Sequence, residues 1–279
     1  MTAVGPGAEA LLPALRAKGL DTIDGAFAYQ GGEDLVKTHL GTRRRTRVHV
    51  TDAEGRTRPL YLKRYGPERW AARLRRRWTY GRWCSPAAVE LANIRAARQA
   101  GLPTMQEVLF AEEPVSLSRG GRSFLIVTAV PGDALERSLE GFLARHEADD
   151  AAARLTRRLA DCVRKLHAAG YAHRDLYSSH IFLHEHQGDL ELYLIDLARM
   201  FSPRWRRFRW RVKDLAQIKH SMPAAWVAGH WEAFLSAYCK GGDRAAIRRY
   251  NRAIDRKAAA IRRHSLRKRR RQAAQRPPA

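Results

Sequence analysis

The chain has few cysteines and no long apolar segment, and each shortage excludes a class of protein. Its three cysteines, Cys84, Cys162 and Cys239, lie far apart and form no C-x-x-C pair, so we expect neither a zinc site nor a disulfide framework. No stretch approaches the roughly 20 consecutive apolar residues that a membrane-spanning helix needs. The first twenty residues also lack a basic start followed by an apolar run, so no secretory signal is expected. These features predict a cytoplasmic protein.

Acidic residues are scarce relative to basic ones. The chain has 28 Asp and Glu against 52 Lys and Arg, which gives a formal net charge of +24. The excess is concentrated at residues 69–82, 203–211 and 262–271, and the first two clusters interleave Arg with Trp, Tyr or Phe. Such a mixture suits an anionic membrane surface, and it would also suit nucleic acid. For the last cluster, an ordinary solvated face is the alternative.

No internal repeat and no Gly/Ser linker divides the chain into independent domains. Strand-like segments occur within residues 34–64, at 105–112 and at 123–129, and a Ser-Pro start predicts a helix over 85–100. From residue 131 onward the apolar spacing is mainly helical. The predicted organisation is an N-terminal lobe at 1–130, a helical C-terminal lobe at 131–264 and a disordered basic tail at 265–279.

Two carboxylates indicate phosphoryl transfer. Residues 173–180 read HRDLYSSH, and in protein kinases such a loop supplies a carboxylate, here Asp175, that orients the attacking hydroxyl. A buried-strand pattern then ends at Asp196, the expected ligand for magnesium. The loop ends in His180 where protein kinases have Asn, and this side chain would bind metal weakly, contact phosphate or brace the loop. His173 and Arg174 are expected to support the loop structurally.

A second group of residues is expected to bind the phosphates of ATP. Lys63 ends the strand-like sequence YLK, and Glu90 on the predicted helix is expected to hold that lysine in place. No G-x-G-x-x-G motif is present, so the loop that covers the phosphates is assigned to GTRRRT, with Gly41 and Arg43 as its candidates. The Gly-Gly pair at residues 31–32 is the competing position.

Six sequence segments resemble the bacterial lipopolysaccharide kinase family, the Kdo and core-heptose kinases. The segments are GTRRRT (41–46), YLKRY (61–65), GLPT (101–104), HRDLYSSH (173–180), IDLAR (195–199) and KDLAQ (213–217). The resemblance covers roughly residues 35–240. It implies an α+β, protein-kinase-like fold of two lobes, a small antiparallel sheet with one main helix and a mostly helical second lobe.

The resemblance also implies an activity: ATP and Mg²⁺ phosphorylate a sugar hydroxyl of the lipopolysaccharide inner core. A histidine at position 180 is usual in the family. By position, Asp175 matches the base, Asp196 the magnesium ligand and Lys63 the phosphate-binding lysine. Glu90 matches the partner of that lysine, and Asp214 matches a carboxylate that braces the catalytic loop.

The implied partner, lipopolysaccharide with its phosphates and Kdo carboxylates, would attract the basic clusters to the cytoplasmic face of the inner membrane. Arg204, Arg206, Arg207 and Arg209 follow Asp196 and are expected to face the acceptor or the membrane. Two alternatives stay open. One is a kinase for a protein or small-molecule hydroxyl, and the other is a non-catalytic scaffold that binds anionic lipid or nucleic acid. The presence of Lys63, Asp175 and Asp196 together argues against the scaffold.

Overall fold

A computed structural model describes residues 2–35, 43–146 and 150–274, in which the chain forms two compact units. The first unit comprises residues 1–98 and 104–130, and the second comprises residues 99–103 and 131–279. The elements up to residue 130 are β1 (Thr2–Val4), α1 (Leu12–Ala17), α2 (Ile23–Ala28), β2 (Glu33–Asp34), β3 (Arg43–Thr51), β4 (Thr57–Tyr65), α3 (Trp70–Tyr80), α4 (Pro86–Gln99), β5 (Glu107–Glu112) and β6 (Ser123–Thr128). The later elements are β7 (Asp133–Ala134), α5 (Leu135–Arg145), α6 (Ala151–Ala168), β8 (Ile181–His186), β9 (Asp189–Leu194), α7 (Arg207–Ser221), α8 (Ala224–Tyr238) and α9 (Arg244–Ala274).

The first unit contains an antiparallel sheet of six strands in the order β1-β5-β6-β4-β3-β2. In β4, Leu60 and Leu62 are buried in an apolar cluster that includes Leu15 and Leu20 from the α1 region. Side chains alternate between the faces of a strand, so Lys63 lies on the face opposite this cluster. There it contacts Glu90 of α4. The alternation therefore decides which residue of β4 can serve a polar site.

The first unit has more helices than the sequence predicted. We expected a helix at residues 8–17 and one main helix, which correspond to α1 and α4, but α2 and α3 are also present. Helix α3 was interpreted only as a basic cluster because its frequent arginines obscure an apolar face. It ends where Gly81 adopts a left-handed φ of 75° and its amide donates to the carbonyl of Arg77 at 2.8 Å.

The second unit combines a three-stranded sheet, β7-β8-β9, with five helices among its described residues. The helical apolar spacing that the sequence showed beyond residue 131 is confirmed in α6, where Leu155, Leu159, Val163 and Leu166 are all fully buried. Helix α6 packs against α8, and α7 packs against α9. This packing places α7 beside the loop that carries Asp175.

The C-terminal segment differs from its prediction. We expected disorder over residues 265–279, but α9 continues to Ala274, and residues 275–279 lie outside the described part of the chain. Arg, Lys, Ala and Gln favour helix, and the segment contains no Gly or Pro before residue 277, so the helix is not interrupted. Among the helices of the described residues, none combines the length and apolar character needed to cross a membrane.

Candidate active site

In the first unit, Lys63 and Glu90 form the predicted ion pair. Helix α4 begins after Ser85, whose hydroxyl accepts the amide of Ala88 at 3.0 Å, and this cap orients the first turn. Glu90 follows one turn later with no exposed surface, and its Oε1 lies 2.5 Å from Nζ of Lys63. The contact between these two residues is confirmed, whereas a role in binding nucleotide stays a prediction.

Tyr65 also belongs to this site, although the sequence did not identify it as a site residue. Its hydroxyl donates to Oε2 of Glu90, so both carboxylate oxygens of Glu90 are engaged. Burial, together with the negative charge of Glu90, raises the pKa of Tyr65 well above its usual range. The two-residue spacing from Lys63 places Tyr65 on the same face of β4. That spacing was the signal that could have identified it.

Arg43 does not lie in a loop that covers phosphates. It begins strand β3, its Nη2 donates to the Tyr65 hydroxyl at 3.3 Å, and its guanidinium lies 5.0 Å from the centre of that ring. We expected a loop residue, but the chain is already paired with β4 at this point. Gly41, the other loop candidate, lies outside the described residues.

In the second unit, Asp214 of α7 holds the loop that carries Asp175. Its buried carboxylate accepts the backbone amides of His173 at 2.7 Å and of Arg174 at 2.8 Å. Gln217, one turn along α7, donates to the carbonyl of Arg174 at 2.9 Å and accepts the amide of Leu176 at 3.1 Å. The loop backbone on both sides of Asp175 is therefore fixed by one helix, because residues three apart on a helix share a face.

His173 and Arg174 support the loop in different ways. The ring of His173 is fully buried, and its Nε2 lies 3.1 Å from the carbonyl of Ile195, which agrees with the anchoring role expected for it. Burial lowers the pKa of His173 below its usual value. Arg174 adopts a φ of 73°, and its guanidinium lies between two rings, 5.2 Å from the centre of Phe201 and 5.4 Å from that of Trp210. The sequence predicted a structural role for Arg174 but did not indicate these aromatic contacts.

His180 lies near both the backbone of Asp175 and the carboxylate of Asp196. Nδ1 of His180 lies 2.8 Å from the backbone carbonyl of Asp175, and its Nε2 lies 3.7 Å from Oδ2 of Asp196. Asp196 follows β9 and has a φ of 59°, a left-handed conformation that is uncommon for residues other than Gly, Asn and Asp. Both oxygens of Asp175 are in turn contacted by Nη1 of Arg199, at 3.0 and 2.9 Å.

The arrangement fits magnesium through Asp196. Across the described part of the chain, no group of three or more His, Cys, Asp or Glu side chains is arranged to hold a metal ion. Magnesium in phosphoryl-transfer sites is usually held by one or two carboxylates together with substrate phosphates and water. The carboxylate of Asp196 has the chemistry that such a ligand needs, whereas the imidazole of His180 is less suited to the ion, and the metal role of both residues stays a prediction.

The two aromatic and basic clusters lie at the surface, but not all their arginines are exposed. Trp78 of α3 and Trp205 are each 81% exposed, whereas Arg73 is buried and donates to the carbonyls of Glu68 and Leu117. In the second cluster all four predicted arginines are exposed: Arg204, Arg206, Arg207 and Arg209. The first cluster is therefore partly structural, and the second is available to a ligand.

Comparison with known proteins places these features in a family. The model of the lipopolysaccharide kinase (Kdo/WaaP) family matches residues 11–238. The lipopolysaccharide core heptose(I) kinase WaaP of Escherichia coli is 34% identical over 137 residues, covering 46% of this chain and 50% of that protein. The protein of the same name from Pseudomonas aeruginosa is 30% identical over 139 residues, covering 48% and 52%. The matched part of the chain thus spans about half the length of these curated relatives.

A solved structure of WaaP in complex with acyl carrier protein resembles most of this chain. Its TM-score is 0.62 at 23% identity, and the match covers 94% of this chain and 99% of that one. The predicted fold class, α+β and protein-kinase-like, is confirmed.

Proposed function

Because the chain belongs to the lipopolysaccharide kinase (Kdo/WaaP) family, we propose that it transfers the γ-phosphate of ATP to a sugar hydroxyl of the lipopolysaccharide inner core. The observation that carries the proposal is the position of His180, whose ring nitrogens face the carbonyl of Asp175 and the carboxylate of Asp196. This arrangement supports a shared site for a carboxylate that orients the acceptor and one that binds metal. The curated relatives are named core heptose(I) kinases, so a core heptose is the first acceptor to test and Kdo the second.

In the proposed reaction, Asp175 aims the acceptor hydroxyl. The hydroxyl oxygen bonds to the γ-phosphorus of ATP, the bond from that phosphorus to the bridging oxygen breaks, and ADP leaves. The hydroxyl proton passes to the Asp175 carboxylate and from there to water. Asp214 contributes by fixing the backbone amides of His173 and Arg174, since accurate positioning lowers the entropic part of the barrier.

The remaining residues are assigned to the nucleotide. Lys63 would bind a phosphate oxygen as a point charge, and Glu90 and Tyr65 would keep its ammonium in place. Asp196 would hold Mg²⁺, which when bound neutralises charge on the phosphates. We assign His180 to bracing the loop, because one of its ring nitrogens already contacts the Asp175 carbonyl.

The exposed clusters favour a peripheral position at the cytoplasmic face of the inner membrane. Exposed Trp70, Trp78 and Trp205 have neighbouring arginines, and rings of this type suit the headgroup region while each cation near an anionic surface contributes about 1 kcal/mol. Anionic lipopolysaccharide is therefore the proposed partner surface. Nucleic acid is the competing anionic partner.

The test is direct transfer. Purified protein, ATP and Mg²⁺ would be incubated with inner-core lipopolysaccharide from cells that lack the gene, and mass spectrometry would follow the gain of phosphate on the sugar. We expect phosphate on a core heptose. Phosphate appearing only on protein hydroxyls, or no magnesium-dependent ATP binding together with tight RNA binding, would support one of the alternatives instead.

A further inference from the structure

Arg199 lies on the carboxylate that we assign as the base. Its Nη1 is 2.9 Å from Oδ2 and 3.0 Å from Oδ1 of Asp175. The Arg199 side chain is 51% exposed, whereas that of Asp175 is 19% exposed. Among the ion pairs of the described residues, Arg199 has no second carboxylate. An exposed cation is therefore held by a single, mostly covered anion.

The pair is not needed to position the loop. The backbone around Asp175 is already held by Asp214 and Gln217, through hydrogen bonds to the residues on either side. Ion pairs that are open to solvent contribute little to folding stability, because water screens them and both side chains lose freedom. The Arg199 side chain can thus leave Asp175 at low cost when another anion competes for it.

The contact conflicts with the work of a base. The guanidinium contacts both oxygens of Asp175 and so occupies lone pairs to which an acceptor hydroxyl must bond. Within the described residues, Nε and Nη2 of Arg199 have no hydrogen-bond acceptor, so the guanidinium can still receive an anion. A planar guanidinium suits phosphate and carboxylate groups in particular, because it can form two parallel hydrogen bonds.

We propose that Arg199 recognises the acceptor through an anionic group, a phosphate or a carboxylate, that lies close to the hydroxyl being phosphorylated. This inference rests on the proposed kinase function and adds the substrate class of the same site. The anion draws Arg199 away from Asp175 and leaves the carboxylate oxygens for the hydroxyl. An uncharged sugar leaves the pair intact and is a poor acceptor.

The local charge agrees with an anionic acceptor. Lys213 of α7 donates to the carbonyl of Arg174, next to Asp175, so a second cation lies at the base of this loop. Burial lowers the pKa of Lys213, and the carboxylates of Asp175 and Asp214 oppose that shift. The exposed arginines of residues 204–209 extend the positive charge along the same segment of chain. Acceptors with negative groups are therefore favoured over neutral or cationic ones.

The test compares three forms of one inner-core oligosaccharide: untreated, phosphatase-treated and carboxyl-amidated. The enzymes are wild type, Arg199→Gln, Arg199→Lys and the control Arg158→Gln. Arg158 is a matched control because it is an exposed arginine of α6 whose Nη2 lies 4.0 Å from an oxygen of Asp189. Values of kcat and KM are measured for the acceptor and for ATP, and acceptor binding is measured by calorimetry with Mg²⁺ and a non-hydrolysable ATP analogue.

For wild type, we expect removal of the recognised anion to raise the acceptor KM about tenfold or more, the cost of losing a charged hydrogen bond. The form that causes the rise identifies the anion as phosphate or carboxylate. Arg199→Gln should show the raised KM with every form, Arg199→Lys should recover part of the preference, and Arg158→Gln should behave as wild type.

Two results would overturn the inference: an Arg199→Gln enzyme that keeps the preference for the untreated form, or one in which the KM for ATP rises instead of that for the acceptor. The kinase function and the inference can fail separately. If the untreated acceptor binds preferentially and this preference depends on Arg199, but no phosphate is transferred, the kinase function is rejected and the anion recognition is kept. Equal transfer to all three forms keeps the kinase and rejects the recognition.

Discussion

Nζ of Lys63 lies 2.5 Å from Oε1 of Glu90, and the two side chains are 7% and 0% exposed. A charge pair this deeply buried is stable only while both partners are present, because an unpaired charge in such a place cannot be solvated. The second oxygen of Glu90 receives the Tyr65 hydroxyl, so Glu90 connects two residues of the same strand. Stability and catalysis should therefore respond differently to the loss of each partner.

Glu90→Ala should lower the free energy of unfolding by about 3–5 kcal/mol, because it leaves the Lys63 ammonium buried without its carboxylate. Lys63→Met should cause the larger loss of kcat/KM, since we assign Lys63 to the nucleotide phosphates and Glu90 only supports it. Urea unfolding and steady-state kinetics would measure the two effects. Glu54→Ala, which removes an exposed partner of Arg56, should stay within about 0.5 kcal/mol of wild type. If Glu90→Ala proves the more damaging to turnover in folded protein, Lys63 does not contact phosphate.

Asp175→Ala and Asp196→Ala should separate acceptor activation from nucleotide binding. The first should reduce transfer to a trace while magnesium-ATP still binds, because Asp175 is assigned to the acceptor hydroxyl. The second should weaken magnesium-ATP binding, because it removes the assigned metal ligand. Calorimetric titration and transfer assays would measure both, with the exposed Asp189→Ala as control. Unchanged magnesium-ATP affinity in Asp196→Ala would return that residue to a structural role.

His173 should make the second unit less stable in mild acid. Its pKa is lowered by burial, and its Nδ1 has no hydrogen-bond partner among the described residues. The unfolded chain takes up a proton on His173 at about pH 6.5, the ordinary pKa of histidine, while the folded protein does not. The free energy of unfolding therefore decreases as the pH is lowered below about 6.5. One such group contributes a slope of at most about 1.4 kcal/mol per pH unit.

Urea unfolding between pH 5 and 7 would measure this slope. His173→Gln should flatten it, since the amide can still donate to the Ile195 carbonyl but does not titrate. His264→Gln, at an exposed position of α9, should leave the slope unchanged. An equal slope in wild type and His173→Gln would show that another group is responsible.

Replacing Arg204, Arg206, Arg207 and Arg209 with serine should weaken binding to anionic vesicles, most clearly at low salt. Exposed charges are screened beyond a Debye length of about 8 Å at physiological ionic strength, so an electrostatic contact weakens as salt rises. Vesicle co-sedimentation at two salt concentrations would measure the loss. A matched variant removes the same charge elsewhere in the second unit, with serine at positions 145, 154, 157 and 158. Equal losses in the two variants would mean that net charge, and not this cluster, governs binding.

Local spacing was sufficient for several features of the fold and of the candidate site. The apolar face of α6 and the start of α4 follow from helical periodicity and capping residues, which act within a few positions of each other. The contact of Lys63 with Glu90 also followed, although the two residues are 27 positions apart, because the kinase signature pairs a strand lysine with a glutamate of the main helix. Helix α3 and the helical residues 265–274 were missed, since dense arginine was interpreted as surface charge or disorder.

The sequence by itself determined the loop with Asp175, the strand that leads to Asp196 and the excess of positive charge, because these features depend only on which residues are neighbours along the chain. Tertiary structure decided which side chains reach them. Arg199 turns back to Asp175, and Tyr65 shares Glu90 with Lys63. Such contacts arise only when packing brings distant segments within hydrogen-bond distance, and sequence spacing carries no record of that distance.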